Sequence, residues 1–131
     1  MRILLFGHTY QPSRSEQIRH VLQTLSRTEA ELVAHGDFYD FLSKEFPDVC
    51  HRIGEIDCRG DYTADMALSI GGDGTFLRAA EKIGDRGIPV LGVNIGRLGF
   101  LADVPAEEVE PVLNEILEGK YKIEERSLLQ V

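Results

Sequence analysis

The chain lacks any apolar run close to the length of about 20 residues that a membrane-spanning helix needs. Its first apolar stretch, residues 2–7, is too short for the core of a signal peptide and runs directly into a glycine. With 43% hydrophobic and 27% charged residues among 131, the composition is that of one ordinary globular domain. We therefore predict a cytoplasmic protein that has no membrane partner.

Basic residues are scarce relative to acidic ones. Fourteen Lys and Arg stand against 22 Asp and Glu, and the formal net charge is −8. No block of Lys or Arg could displace counterions from a phosphate backbone, which argues against nucleic acid as the main partner. The net charge does not exclude a nucleotide as a ligand, since a nucleotide needs only one local electropositive pocket.

Cysteine is scarce too, with Cys50 and Cys58 as the only two in the sequence. Their spacing fits none of the standard zinc patterns, and a cytosolic chain keeps both thiols reduced. We expect ordinary loop cysteines, with a metal site or a functional disulfide as less favoured alternatives. The polar and acidic residues 47–65 indicate a solvated loop rather than a metal site.

What the sequence does contain is an alternation of short apolar segments with amphipathic ones. This alternation is typical of an α/β fold, a doubly wound and mostly parallel sheet with helices on both faces. A capping box at residues 13–16 and a cap at Asp37 predict the starts of two helices, the second ending before Pro47. The predicted strands cover residues 3–6, 31–34, 66–70 and 90–95.

Two further helices are predicted from apolar residues at helical spacing. In the last of them, Pro105 suits the first helical position, whereas Pro111 requires either a kink or a restart of the helix. Gly119 is its natural C-terminal residue. The two apolar stripes cover residues 76–83, which end at a Gly-Asp-Arg-Gly segment, and residues 109–117.

The most informative segment is Ser-Ile-Gly-Gly-Asp-Gly-Thr-Phe-Leu at residues 69–77. Its three glycines and one carboxylate stand between an apolar run and an amphipathic one, which predicts a strand, a tight turn and a helix start. Such a junction directs backbone amides and the positive end of a helix dipole at one small volume that suits a phosphate. We therefore expect phosphate contacts from Gly71, Gly72 and Thr75. Because like charges repel, Asp73 is better suited to positioning a hydroxyl, accepting its proton, or holding a metal that bridges to phosphate.

A second glycine-rich segment, residues 92–103, also follows a predicted strand. Two such turns would emerge at the same carboxyl edge of a parallel sheet, which is where open α/β sheets bind ligands. Neither turn matches the phosphate loop that ends in Gly-Lys-Ser/Thr, and neither contains the Gly-x-Gly-x-x-Gly fingerprint. A dehydrogenase cofactor site is therefore disfavoured.

The Gly-Gly-Asp-Gly-Thr motif at residues 71–75, followed by Gly-Arg-Leu-Gly-Phe-Leu at residues 96–101, closely resembles the NAD kinase family. The first motif is shared with diacylglycerol and sphingosine kinases and, more distantly, with phosphofructokinases. The second motif resembles NAD kinases specifically and therefore favours them over these other kinases. The resemblance implies transfer of the γ-phosphoryl group of ATP to the 2′-hydroxyl of the adenosine ribose of NAD, giving NADP. A divalent metal ion such as Mg²⁺ would accompany the triphosphate.

The resemblance also implies roles for individual residues. Asp73 inherits the part of the general base that contacts the acceptor hydroxyl. Gly74, Arg78 and Phe100 match contacts to the dinucleotide, and no residue of this chain is assigned as a metal ligand. The family commonly has an Asn-Pro pair after its first strand, whereas this chain has His-Thr-Tyr-Gln-Pro at residues 8–12, so no role is transferred to that turn.

The pattern of residues 122–131 predicts an extended segment that ends on apolar residues, and residues 121–129 resemble the family's link into a second domain. We expect residues 1–120 to be an α/β nucleotide-binding domain and residues 121–131 to be the start of a missing β-rich domain. The family's Asn-Asp/Glu and Gly-Ser-Thr-Ala segments, which lie in that second domain, are absent here. The 131 residues alone are therefore predicted to be nearly inactive, and the full-length protein to be a homo-oligomer.

Two other functions compete with an NAD kinase. The catalytic domain of a lipid or sphingoid-base kinase would share the first motif but shows less agreement at residues 96–101. A nucleotide-binding or assembly module without catalysis is the alternative from a different class.

Overall fold

A computed structural model describes residues 1–7, 15–56, 62–95 and 104–118. Six parallel strands form one sheet in the order β3-β2-β1-β4-β5-β6. The strands are β1 (Arg2–Gly7), β2 (Glu31–His35), β3 (Ile53–Ile56), β4 (Met66–Gly71), β5 (Val90–Asn94) and β6 (Val104–Pro105). The helices are α1 (Ser15–Ser26), α2 (Gly36–Glu45), α3 (Pro47–Cys50), α4 (Asp73–Ile83) and α5 (Val109–Leu117), with a 3₁₀ turn at Ala106–Glu108 before α5.

The strand order reverses between β1 and β4. From β1 the chain builds outward through β2 and β3, and from β4 it builds the other way through β5 and β6. In the register of the sheet Gly7 pairs with Ile70, and Gly71 pairs with Asn94. The carboxyl ends of β1, β4 and β5 are therefore level at one edge, at the switch point where open α/β sheets bind ligands.

The central strands send alternate side chains into two cores, because successive residues of a strand face opposite sides of the sheet. Ile3 and Leu5 of β1 belong to the larger core, which is covered by α1, α2, α3 and α5. Leu4 and Phe6 belong to the smaller core, beneath α4. Helices thus pack on both faces, which confirms the predicted doubly wound α/β fold.

The prediction of a loop over residues 47–65 is wrong in its first half. Pro47 occupies the first position of α3, where its missing amide hydrogen costs no hydrogen bond. Residues Ile53–Ile56 form β3, which pairs with β2 at the edge of the sheet. Only Ile53 of this strand is fully buried, so the strand carries almost none of the apolar signal of an interior strand.

Two predicted helix starts also need correction. Asp37 is not the cap of α2: His35 is at the N-cap with extended backbone, and Asp37 lies inside the first turn. Pro105 is not a helical residue but ends β6 and precedes the 3₁₀ turn. Pro111 is the third residue of α5, in the first turn, where an amide has no partner within the helix, so the helix begins afresh at Val109. The first two residues of the predicted capping box, 13 and 14, lie outside the described residues, as do Gly119 and residues 122–131.

Arg52 fastens the connection between α1 and β2. Its two terminal nitrogens donate hydrogen bonds of 3.1 to 3.3 Å to the backbone oxygens of Ser26, Thr28 and Ala30. One half-buried guanidinium thereby satisfies three carbonyls, including that of the last residue of α1, whose oxygen has no donor within the helix. The side chain fixes where β2 enters the sheet.

We expect Arg52→Met to lower the free energy of unfolding by about 2 kcal/mol, because three carbonyls lose a charged donor while the aliphatic packing is kept. Arg27→Met is the matched control. Arg27 is exposed, and its Nη1 is 3.8 Å from Oε2 of Glu110. Removing this surface ion pair should change the free energy of unfolding by less than about 0.5 kcal/mol. Urea denaturation of the two variants measures both values. Equal effects would show that Arg52 does not hold this connection.

Candidate functional site

The predicted glycine turn is the junction between β4 and α4. All six residues of β4 are buried, and Gly72 at the N-cap has extended backbone angles, φ −125° and ψ −161°. The first helical hydrogen bond runs from the amide of Phe76 to the oxygen of Gly72, 3.0 Å long. The amides of Gly74 and Thr75, in the first turn, have no acceptors within the helix and form the positive end of its dipole. The junction lies at the carboxyl edge of the sheet, as predicted.

The glycines of this turn are not there for backbone freedom. Within the described residues only Gly84 and Gly87 have positive φ. At Gly71 the reason is space inside the protein: a Cβ added there would lie 2.8 Å from the Cβ of Thr75. Thr75, 6% exposed, is thereby packed directly against the end of β4.

Gly72 and Gly74 differ from Gly71, because none of the described residues requires glycine at either position. Among these residues, a Cβ at Gly72 would meet no atom within 4 Å, and one at Gly74 would meet only Arg78 Nη1 at 3.6 Å, an ordinary contact. Both positions have backbone angles that any residue adopts, and Gly74 stands inside a helix, where glycine costs stability. The space they leave is open in front of the first turn of α4.

Arg78 lies one turn into α4 and folds back over the start of that helix. Its Nη2 is 3.5 Å from the Oγ1 of Thr75, at the limit of a hydrogen bond. A cation at the positive end of a helix is placed unfavourably unless an anion joins it. In the described part of the chain Arg78 forms no ion pair. Its charge is therefore available to a bound anion.

Asp73 is the first residue of α4 and is half-buried. Its side chain projects from the same turn that carries the amides of Gly74 and Thr75. A negative charge is stabilised at this end of a helix. The structure thus places a carboxylate at the start of α4, beside the helix N-terminal amides of Gly74 and Thr75.

A cleft of about 260 Å³ opens beside this turn, at the carboxyl ends of β1 and β2. Gly7 lets Phe38 pack against the end of β1, because a Cβ at Gly7 would collide with the ring of Phe38. One wall is the face of α4 and the opposite wall is the start of α2. The lining residues are Phe6, Gly7, His35, Asp37, Phe38, Thr75, Arg78, Ala79 and Lys82.

The structure therefore brings together most of the residues predicted for the site. Gly71 is the last residue of β4, and Gly72 is the N-cap of α4. Asp73, Gly74, Thr75 and Arg78 lie in the first two turns of that helix. Phe100 and most of the second glycine segment lie outside the described residues, so their roles stay predictions. Asp37 and Lys82 line the cleft but were not predicted as site residues. The signal that could have found Asp37 is its position, two residues after the carboxyl end of β2.

Other candidate ligand groups are few in the described residues. No group of three or more His, Cys, Asp or Glu in these ranges is arranged to hold a metal ion. Cys50 is buried, and burial raises the pKa of its thiol, so it behaves as a core residue. Cys58 lies outside the described residues. None of the described helices has the length and hydropathy to cross a membrane.

Comparison with known proteins identifies what this architecture is similar to. Residues 3–121 match the family model described as ATP-NAD kinase N-terminal domain. The NAD kinase of Bacteroides fragilis is 41% identical over 131 residues, covering 100% of this chain and 45% of the relative. The NAD kinase of Porphyromonas gingivalis is 38% identical over 133 residues, covering 99% of this chain and 45% of the relative. The chain thus spans less than half the length of these curated relatives.

A solved structure supports the fold independently. The crystal structure of yeast NADH kinase complexed with NADH superposes with a TM-score of 0.76 at 23% identity. The match covers 92% of this chain and 38% of the yeast chain. At this identity the likeness establishes the shared α/β fold.

We expect Gly71→Ala and Gly72→Ala to differ sharply in stability. The first inserts a methyl group against Thr75 and should cost about 1–3 kcal/mol of unfolding free energy, the range for overpacking a core. The methyl group of Gly72→Ala would have no described atom within 4 Å, so this variant should change the free energy of unfolding by less than about 1 kcal/mol. Thermal or urea unfolding of the two variants tests this, and a Gly71→Ala variant as stable as the parent would contradict the tight contact.

Proposed function

This chain belongs to the ATP-NAD kinase family, and we propose that it provides the acceptor-activating part of an enzyme that phosphorylates NAD. The reaction transfers the γ-phosphoryl group of ATP to the 2′-hydroxyl of the adenosine ribose and gives NADP and ADP. The observation that supports this best is the start of α4, where Asp73 stands among helix N-terminal amides at the switch point of the sheet. A lipid kinase is disfavoured, because the curated relatives described above are NAD kinases.

In this proposal Asp73 is the general base. Its carboxylate accepts the proton of the 2′-hydroxyl as the hydroxyl oxygen forms a bond to the γ-phosphorus, and the bond from that phosphorus to the β–γ bridging oxygen breaks. A carboxylate suits this role because it is an acceptor that carries no proton of its own at neutral pH. The rest of the site has to position the two substrates and neutralise charge.

The open space at Gly72 and Gly74 is where the substrates approach the backbone. A ligand phosphate placed there would accept hydrogen bonds from the first-turn amides of α4, with Thr75 contributing its own amide. Gly71 acts by letting Thr75 pack against the strand end. Arg78 adds a positive charge over the same turn and is proposed, with Gly74 and Phe100, to contact the dinucleotide.

A divalent ion such as Mg²⁺ fits this donor set if it enters with the triphosphate. Magnesium is usually held by one or two carboxylates together with phosphate oxygens and water, and Asp73 is the carboxylate of this turn. When bound, the ion would neutralise charge on the β- and γ-phosphates of the donor.

The remaining expectations concern the whole protein. We propose that a β-rich second domain, entered at residues 121–131, completes the dinucleotide site, and that the intact enzyme is a cytoplasmic homo-oligomer. Its partners would be NAD and a nucleoside triphosphate, with neither nucleic acid nor membrane involved. These proposals rest on membership of the family and on the length that this chain shares with its relatives.

To test the function, residues 1–131 are joined to the part of the Bacteroides fragilis NAD kinase that lies beyond the matched region. We expect this chimera to make NADP from ATP and NAD, and Asp73→Asn to lower its kcat by a factor of about 10² to 10⁴, the usual contribution of a general base. Asp85→Asn, an exposed aspartate in the turn after α4, is the matched control and should leave kcat unchanged. An Asp73→Asn chimera with undiminished kcat would remove Asp73 from the mechanism.

A second prediction separates stability from function at Gly74. Gly74→Ala should raise the unfolding free energy by about 0.5–1 kcal/mol, because alanine loses less entropy in a helix than glycine does. The same methyl group occupies substrate space, so kcat/KM for NAD in the chimera should fall. Gly36→Ala in the first turn of α2, where a Cβ also meets nothing within 4 Å, should leave kcat/KM unchanged. A Gly74→Ala chimera with unaltered kcat/KM would show that no substrate approaches this position.

A further inference from the structure

The cleft beside α4 carries two charged groups that the proposed phosphoryl transfer does not use. Lys82 lies one turn beyond Arg78 on α4, and Asp37 lies in the first turn of α2, on the opposite wall. All three side chains line the same cleft. The cleft therefore has a basic wall and an acidic wall, which is the polarity of a site for a ligand with an anionic end and a hydroxyl-bearing end.

The basic wall follows from helix geometry. Arg78 and Lys82 are four residues apart, a spacing that puts them on the same face of α4. Neither forms an ion pair within the ranges that the structure describes. In a chain whose net charge is −8, two neighbouring cations without an ion pair among the described residues create a local attraction for anions.

The acidic wall follows from the topology. Asp37 lies two residues after His35, the last residue of β2, and in the described part of the chain its carboxylate is not paired with Arg78 or Lys82. With β1 between them, β2 and β4 are two strand spacings apart, about 9–10 Å. A ribose that carries 5′-phosphates can bridge a gap of this size. In dinucleotide-binding domains with this strand order, an acidic residue hydrogen-bonds a ribose hydroxyl; this chain lacks their glycine fingerprint but has a carboxylate at the corresponding edge of the sheet.

We propose that the cleft binds a ribonucleotide, with its phosphates against Arg78 and Lys82 and its ribose hydroxyls on the carboxylate of Asp37. Asp37 is then a specificity residue: it distinguishes a ribonucleotide from a deoxyribonucleotide and from a phosphate chain without a sugar. The class of ligand rests on the proposed function, and the new element is that Asp37 recognises the ribose. The ribonucleotide is either the ATP donor or the adenosine half of NAD, which share this chemistry.

The test measures binding to the 131-residue chain by isothermal titration calorimetry with ATP, 2′-deoxy-ATP, 3′-deoxy-ATP, tripolyphosphate and NAD. We expect the parent chain to bind at least one deoxy analogue about tenfold more weakly than ATP, the effect of losing one hydrogen bond to a charged group. Asp37→Asn should bind ATP about tenfold more weakly and lose the discrimination. If NAD rather than ATP loses affinity in the variant, the bound ribose is that of the acceptor, and the proposal stands with that source.

Tripolyphosphate separates a direct contact from general electrostatics. If Asp37 only contributes negative charge, its removal strengthens the binding of ATP and tripolyphosphate alike, and the proposal is overturned. Asp40→Asn is the matched control, because Asp40 is an exposed aspartate of the same helix that does not line the cleft. It should bind every ligand as the parent does, and an equal loss of ATP binding in both variants also overturns the proposal.

The deoxy analogues on the parent chain keep the test independent of any variant's folding. A parent chain that binds ATP, NAD and both analogues with equal affinity, or binds none of them, overturns the inference. Kinase activity of the chimera reports separately on the proposed function. An active chimera with no role for Asp37 in binding would leave the function standing and remove the ribose contact.

Discussion

The parallel pairing of β1 with β4 is the constraint on which the rest of the structure depends. It joins the two halves of the sheet, and both strands are covered by a core on each face. The pairing also brings Gly7 level with the end of β4, so that the cleft and the start of α4 open at the same edge. Gly7 and Gly71 are glycines because a side chain at either position would collide with a neighbour, Phe38 or Thr75.

The candidate site is organised around two positive charges that no described residue neutralises in an ion pair. Arg78 stands over the positive end of α4, and Lys82 follows on the same face. This arrangement is unfavourable in the absence of an anion, and it is maintained by a rigid neighbourhood: a buried strand, a packed Thr75 and a helix anchored in the smaller core. The fold therefore holds the start of α4 and the side chain of Arg78 in place before any ligand arrives, which would lower the reorganisation needed for the proposed phosphoryl transfer.

The interior of this fold was predictable from the sequence, because buried parallel strands and amphipathic helices have strong local patterns. The β4–α4 junction, with Asp73 at its start, follows from a handful of neighbouring residues alone. β3 was missed because an exposed edge strand needs few apolar residues, and Asp37 was misread as a cap because its position depends on where β2 ends. The cleft is lined by residues of α2 and α4 that are far apart in sequence, so only the topology reveals that Asp37 and Lys82 line the same cleft.

The pairing register has a consequence for synthesis of the chain. Ile3 of β1 pairs with Leu32 on one side and with Met66 on the other. While the ribosome is still translating the segment before β4, β1 and β2 can already pair, but the other edge of β1 has no partner. An apolar strand with an open edge is a template for association with other chains. The nascent protein therefore passes through a window of aggregation risk that closes only when β4 emerges from the ribosome and docks.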